Sequence, residues 1–437
     1  MSVTFDAAVS PSAGRRFRAY TARHLDDLTA RAGLDEAERL RVRAVAEVLP
    51  FRVNDYVVDE LIDWSAAPDD PMYRLVFPQS DMLPERDVSR IAELLTSGAS
   101  RQELTAAANE VRAKLNPHPA GQMELNIPST GEEPLNGVQH KYDETVLFFP
   151  KQGQTCHAYC TYCFRWAQFV GEPDLKMSSG DIDLLVQYLR AHPEVTSVLF
   201  TGGDPMIMGE GVLNRYIEPL LELDQLESIR IGTKALGYWP QRWVTDPDAD
   251  DTLRLFERVV ESGKNLAFMA HFSHPREMMP QLATEAVRRI RDTGAVIRTQ
   301  APLIRMINDD ADTWATMWRT QVRQGMVPYY MFVERDTGPQ DYFAVPLARG
   351  YEIFRQAYQQ VSGLARTVRG PSMSATPGKV CVDGVTEVAG EKVFVLHMIQ
   401  ARNPDLVGRP FFAAYDENAA WLDDLKPALG ATAFPFE

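Results

Sequence analysis

The sequence predicts an α/β fold, a (β/α)6 partial barrel with a helical region before it and an extension after it. Three observations predict this. From Thr145 onward six short apolar runs, TVLFF, VTSVLFTGG, ESIRIGT, NLAFMAHF, AVIRTQAPLI and VPYYMFV, alternate with amphipathic helical stretches, the pattern of βαβ units on a parallel sheet. Residues of unusual chemistry fall just after these runs, at the strand ends where parallel α/β folds keep their active sites. Upstream, segments such as HLDDLTARAGLDEAERLRVRAVAEVLPF and RDVSRIAELLTSGASRQELTAAANEVRAKL carry charge and helical periodicity instead.

In chain order these signals divide the protein into an N-terminal helical region (1–118), a connector (119–141), the barrel (142–365) and a C-terminal segment (366–437). The connector stretch NPHPAGQMELNIPSTGEEPLNG is marked by Pro, Gly and Asn turn residues and little periodicity. The C-terminal segment holds two strand-like runs around an acidic turn, placed to cover the barrel mouth or to build a homo-oligomer interface.

Composition bounds the function. A chain of 437 residues with 45% hydrophobic and 24% charged residues has core enough for one large domain and a smaller one. No apolar run approaches membrane-spanning length, and the N-terminal MSVTFDAAVSPSAGRRF lacks the hydrophobic stretch of a signal peptide, so a cytoplasmic protein is expected. The formal charge of −15 argues against nucleic acid as a partner and for a small-molecule substrate.

Cys156, Cys160 and Cys163, in HAYCTYCFRW, carry the strongest chemical signal. Three thiolates at this spacing can hold three corners of a [4Fe-4S] cluster and leave the fourth iron without a protein ligand. A structural zinc site is the alternative, but such sites bring four Cys/His ligands in paired spacing, and the remaining cysteine, Cys381, is remote. Few, clustered cysteines also fit a reducing compartment better than a disulfide framework.

The Cys156-x3-Cys160-x2-Cys163 spacing is that of the radical SAM superfamily, in which the open iron chelates S-adenosylmethionine and cleaves it to a 5′-deoxyadenosyl radical. Within that superfamily the chain resembles the lysine 2,3-aminomutase family, from about Ile62 to Lys379. IDWSAAPDDPMYRLVFP, HKYDETVLFF, TGGDP, RIGTKALGYWPQR, HFSHP, RTQAPLIRMINDD and VPYYMFVERD occur in that family's order. The resemblance implies S-adenosylmethionine and pyridoxal 5′-phosphate as cofactors, and an electron donor such as flavodoxin or ferredoxin. It implies an isomerase that moves an amino group from C2 to C3 of an amino acid.

Each segment also has its own physical reading. Thr201, Gly202, Gly203 and Asp204 end the second apolar run, where two glycines let the backbone approach a ligand and free carbonyls to hold the ammonium of S-adenosylmethionine. Thr233 and Gln300 stand where the resemblance implies contacts to its ribose and carboxylate. His271 and His274 bracket the same place but are read as structural. Pyridoxal phosphate needs a lysine, a cationic cradle for its phosphate and a wall against its ring. The resemblance assigns the lysine to Lys379, in the Gly/Pro turn SATPGKV, and the phosphate to Lys141 and Tyr142. This chain has one glycine before Lys379 where the family has several, and Thr145 where the family has a second arginine.

Arg165 corresponds to the residue that forks onto the substrate α-carboxylate, and with Lys379 it makes the catalytic pair. Pairing with an acid near the cluster is its structural alternative. Lysine-specific relatives hold the distal ammonium with two aspartates, and here those positions fall on Arg335 and Arg369. Two cations there repel lysine and attract a carboxylate. A shift by one residue puts Asp336 in the first position instead. The leading reading is therefore a 2,3-aminomutase acting on a substrate other than lysine, an acidic amino acid such as glutamate being favoured. A relative that has lost pyridoxal phosphate is the second reading, and a non-catalytic iron–sulfur or zinc protein the third. With Cys381 alone beyond residue 163, the cysteine zinc staple of dimeric relatives is expected to be absent.

Overall fold

In the computed structural model residues 16–130, 133–172 and 176–437 are described, so the first 15 residues of the expected N-terminal region, two of the connector and three of the barrel region lie outside it. The main sheet has 11 strands arranged in chain order. These are β1 (Val138–Tyr142), β2 (Thr145–Phe148), β3 (Ser197–Phe200), β4 (Ser228–Thr233), β5 (Asn265–His271), β6 (Val296–Leu303) and β7 (Val327–Val333), then β8 (Arg369–Ser374), β9 (Gly378–Val388), β10 (Glu391–Ala401) and β11 (Pro410–Ala414). Neighbours from β2 to β8 pair in parallel, whereas β1 and the strands after β8 pair antiparallel.

The six apolar runs coincide with β2 to β7, the (β/α)6 partial barrel. Their period of two explains the layering. Val146, Phe148, Val198, Phe200, Ile229, Ile231, Phe268 and Ile297 face outward and are buried under helices. The alternate residues Leu147, Leu199, Gly232 and Met269 face inward and line a cavity. The crossover helices are α1 (Ile182–Ala191), α2 (Glu210–Leu221), α3 (Ala249–Glu261), α4 (Gln281–Asp292), α5 (Ala311–Arg323) and α6 (Leu347–Gln359). Asp181 and Asp310 cap α1 and α5, each carboxylate accepting from a first-turn N–H.

The N-terminal helices, among them Glu36–Val48, Glu85–Thr96 and Arg101–Lys114, build a second core. That core extends into the cysteine loop through Ala158, Tyr162, Trp166 and Ala167. A third core lies under β9 to β11, where Val380, Val382, Phe394, Leu396, Trp421 and Phe434 meet. The β9–β10 hairpin turns on Ala389 and Gly390, both at positive φ (52° and 83°), as a two-residue turn requires.

Two readings are corrected. The connector is not wholly turn, because it supplies β1 and a short strand pair, Ser129–Thr130 with Glu133–Pro134. Lys379 lies not in a turn but at the second position of β9, paired with Ser374 on one side and Gln400 on the other. Gly378 reads as a turn residue in sequence, yet its role is close packing, since a Cβ there would lie 2.3 Å from the Gln400 carbonyl oxygen.

Candidate active site

The cysteine loop has little regular structure, so its backbone donors must find partners elsewhere. The N-terminal region provides them: the Tyr159 N–H donates to the Arg52 carbonyl (2.8 Å) and the Thr161 N–H to that of Leu75 (2.9 Å). On the other side the loop is held by β3's end, where Gly203 N–H donates to Gly153 and Asp204 N–H to the Thr155 carbonyl (2.8 Å). A Cβ on Gly202 would meet the Gln154 amide at 2.3 Å, and one on Gly203 would meet the Thr155 carbonyl oxygen at 2.4 Å. The close approach expected of this glycine pair is thus made to the cysteine loop, and both glycines also border the cavity.

Cys156, Cys160 and Cys163 are free thiols on the wall of one cavity of about 260 Å³. Burial pushes all three up, Cys163 to about 12. Three soft sulfurs converging on one space suit an iron–sulfur cluster with one iron left to an outside ligand.

Thr201, Gly202, Gly203, Asp204, Thr233 and Gln300 all line the same cavity. Asp204 is a buried carboxylate, raised by desolvation and partly restrained by its donors. Thr233 Oγ1 donates to both its oxygens (2.7 and 2.9 Å), joined by the N–H groups of Lys234 and Met206 (2.9 Å each). The Asp204–Thr233 pair therefore ties β3's end to β4's end. Gln300 pairs with His271, 2.6 Å from Nε2, and burial pushes His271 down to about 3, so the ring is neutral. His274, by contrast, accepts from the Arg276 N–H and is not on the cavity wall.

Arg165 and Arg335 share the outer wall. Arg165 is pushed down to about 10, first by burial, and its Nη1 is buried without a hydrogen-bond partner. Arg335 is likewise lowered by burial, with Nε and Nη2 without hydrogen bonds. Buried guanidinium donors left open are a ready site for a carboxylate. Asp336 does not line the cavity; it accepts from Asn116 Nδ2 at 3.1 Å, and its Oδ1 stands 4.0 Å from Arg335 Nε as an ion pair. Arg369 is also off this wall, its guanidinium lying over Tyr329 and Tyr330 at 4.2 and 4.5 Å from their centroids.

Lys379 does not line the cavity either. Its Nζ lies over Tyr330 (4.4 Å) and 5.7 Å from Phe332, which does line it, and donates to Gln400 Oε1 at 3.2 Å. Burial, then Arg369 and Arg230, push its ammonium down to about 7. Lys141 is pushed to about 7 as well, by burial and by Arg402, Arg335 and Lys379, and donates to the Ala375 carbonyl at 2.5 Å. Tyr142 lies under it, 5.4 Å from ring centroid to Nζ. Thr145 Oγ1 accepts from Arg230 at 3.3 Å, so β4 returns a cation to the place where the sequence lacks one. An amine that begins to shed its proton near neutral pH, set among cations, fits a pyridoxal phosphate site.

Three participants were given no functional role from the sequence, and for a fourth, Lys234 at the strand end 232–234, the partners were not foreseen. His271 was set aside as structural, Arg230 gave no signal, and Glu334, 5% exposed and raised well above the usual carboxylate range by burial, was passed over between better-known neighbours. Lys234 Nζ donates to the fully buried Glu277 (2.5 Å) and to Ser273 (3.2 Å), whose Oγ is 2.8 Å from the Tyr162 hydroxyl. Such pairs join residues tens to hundreds apart, and only a run of polar residues after β5 hinted at them.

Over 403 residues the chain is 30% identical to a putative L-lysine 2,3-aminomutase of Aquifex aeolicus, spanning 92% of this chain and 94% of that protein. An L-lysine 2,3-aminomutase of Clostridium subterminale is 28% identical over 244 residues, 56% of each protein. That of Bacillus subtilis is 25% identical over 346 residues, 79% of this chain and 63% of the relative. A solved radical SAM methyltransferase from Sphaerobacter thermophilus overlaps 66% of this chain and 93% of its own at 14% identity, with a TM-score of 0.36 that adds nothing to the fold described above. No protein-family model matches the chain.

Proposed function

The chain belongs to the lysine 2,3-aminomutase family, and from that premise we propose that it is a pyridoxal phosphate-dependent amino acid 2,3-aminomutase whose substrate is an acidic amino acid rather than lysine. The observation that carries the substrate class is the cavity wall: Arg335 lines it with Arg165, each keeping buried donors without a hydrogen bond, while Asp336, ion-paired to Arg335 at 4.0 Å, lies off the wall. A lysine ammonium would meet two buried guanidiniums there, whereas a dicarboxylic amino acid would give each a carboxylate.

The residues divide by task. Cys156, Cys160 and Cys163 would hold the [4Fe-4S] cluster, and the strand ends with Thr201, Gly202, Gly203, Asp204, Thr233 and Gln300 would hold S-adenosylmethionine. Lys379, Lys141 and Tyr142 would hold pyridoxal phosphate, with Arg230 beside Thr145. When bound, these groups supply one-electron hydrogen abstraction and a carbonyl that carries the migrating nitrogen. Arg165 orients the substrate by its α-carboxylate, and most of the rate gain open to this chain is such positioning. Leu147, Leu199, Met269 and Phe332 keep the wall apolar and dry, away from stray hydrogen donors. Lys379, near half-deprotonated at neutral pH, offers a nucleophilic amine without a separate base.

The test is to supply the reconstituted protein with glutamate, aspartate, arginine and lysine and to look for β-amino acid products, with borohydride trapping of a pyridoxyl adduct on Lys379. Product from an acidic amino acid and an adduct on Lys379 support the reading. Product from lysine alone overturns the substrate class. A family member working without pyridoxal phosphate draws on one observation, the engagement of Lys379 by Gln400, itself tied to Glu144 at 2.8 Å. Absence of any adduct favours that second reading.

A further inference from the structure

Away from the barrel cavity, the β9–β10 hairpin gathers a second set of metal-binding side chains. Cys381 on β9 stands directly opposite His397 on β10. Asp383 follows two residues later, and the register shift between Val382 and Gly384 brings its carboxylate to His397, Oδ2 to Nδ1 at 2.6 Å. Val380 and Val382 turn into the core beneath, so Cys381 and Asp383 share the opposite face of the strand. One donor atom from each of the three lies within 4.8 Å of the other two.

We infer that Cys381, Asp383 and His397 form a site for a borderline divalent transition metal, zinc above all, with one coordination position left to water or another ligand. Thiolate, imidazole and carboxylate are the donors zinc takes, and bond lengths of about 2.0–2.3 Å in a tetrahedron set donors roughly 3.5 Å apart. The His397–Asp383 contact of 2.6 Å must open by about 1 Å to meet that spacing. Cys381 is 6% exposed while Asp383 and His397 reach solvent, so an ion enters from outside and its thiolate bond is sheltered. Burial and the neighbouring Asp383 carboxylate push the free thiol up to about 12, against the Gly370 N–H and Arg369, so the metal-free thiol keeps its proton. Coordination removes that proton outright. Lys379 precedes Cys381 by two residues on the same face, so an ion here pins the stretch of β9 that carries Lys379. The site owes nothing to the cysteine loop and uses a different donor set from an all-cysteine staple.

The test titrates the full-length protein, reconstituted with iron and sulfide so that the loop cysteines are occupied, with Zn²⁺ and then with Co²⁺ as a spectroscopic stand-in. Elemental analysis should give one more Zn²⁺ per chain in the wild type than in Cys381→Ser or His397→Ala. With Co²⁺ a sulfur-to-cobalt charge-transfer band should appear that Cys381→Ser lacks. His397→Ala should weaken binding by more than the roughly 10–100-fold that loss of an outer partner costs a metal site, with iron content and far-ultraviolet circular dichroism unchanged. Equal metal content and affinity in wild type and variants overturns the site. Should Cys381→Ser fail to fold, the half-exposed His397→Ala and exposed Asp383→Asn decide alone.

Discussion

The guanidiniums of Arg165 and Arg335 lie over one aromatic ring, 5.0 and 5.3 Å from the centroid of Phe164. Each is buried with donors unfilled, and the charge of Arg335 adds to burial in pushing Arg165 down. Like charges brought this close in a low dielectric are unfavourable unless an anion joins them. Asp336, 4.0 Å from Arg335 Nε, and Glu334 offset part of that repulsion, and under the proposed function the donors left open on the two guanidiniums would take the carboxylates of the substrate.

Replacing Arg335 by Gln should cost about 2–5 kcal/mol of transition-state binding for a dicarboxylic substrate, a loss in kcat/KM of roughly 30-fold to several thousand-fold. Neutral amino acids, which make no use of Arg335, should lose far less. Steady-state kinetics on glutamate and on alanine give the ratio; equal losses on both would remove Arg335 from specificity.

The glycine pair makes a sharper structural prediction. A Cβ at Gly203 would sit 2.4 Å from the Thr155 carbonyl oxygen, backbone that cannot yield without moving the cysteine loop. Gly203→Ala should therefore reduce iron incorporation on reconstitution to well below wild type, while the helices of the protein keep their far-ultraviolet circular dichroism. Normal iron content in this variant would show that the loop can shift without losing its ligand geometry.

How far such details were legible follows from what each element signals. Strands β2 to β7 were readable because each is an apolar run buried on its outer face and bounded by turns, as ESIRIGT is. Strand β8, RGPSMS, was not, because Gly370 and Pro371 read as a turn and its only apolar side chain is Met373. Lys379 was found through its resemblance, but Pro377 and Gly378 disguised a strand start as a loop. The cysteine triad and Arg165 were legible because their spacing is local. The Lys234–Glu277 and Arg230–Thr145 contacts were not, since they close distances of 43 and 85 residues that no periodicity encodes.

Asp204 is the pin between β3 and β4. Asp204→Asn keeps the shape but, with the amide nitrogen in place of Oδ2, sets a donor against the Thr233 hydroxyl and the Lys234 N–H. A buried mismatch of this kind costs about 1–3 kcal/mol, so the melting temperature should fall measurably and S-adenosylmethionine binding, followed by calorimetry, should weaken. Unchanged stability would mean that Asp204 is protonated in the native protein and already shares a proton as the amide would.

Lys379 carries the pH prediction. Its ammonium, ordinarily near 10.5, is pushed down to about 7 by burial and by Arg369 and Arg230. Below about pH 7 the lysine is charged in both folded and unfolded chains, and the folded state bears the full cost of burying it. Between about pH 7 and 10.5 the unfolded chain still holds the proton that the folded chain has released, so stability rises with pH across that window. Lys379→Met removes the charge and with it this contribution. In cofactor-free protein the variant should be the more stable near neutral pH, and the gap in melting temperature should narrow as pH rises toward about 10. Lys141 titrates in the same range but is present in both proteins, so the difference between them isolates Lys379. The yield of borohydride-trapped pyridoxyl adduct on Lys379 in the wild type should rise across the same midpoint near pH 7, following the neutral amine. A gap that stays constant with pH, together with an adduct that forms only near pH 10, would mean that Lys379 keeps its ordinary proton affinity and is not held as a ready nucleophile.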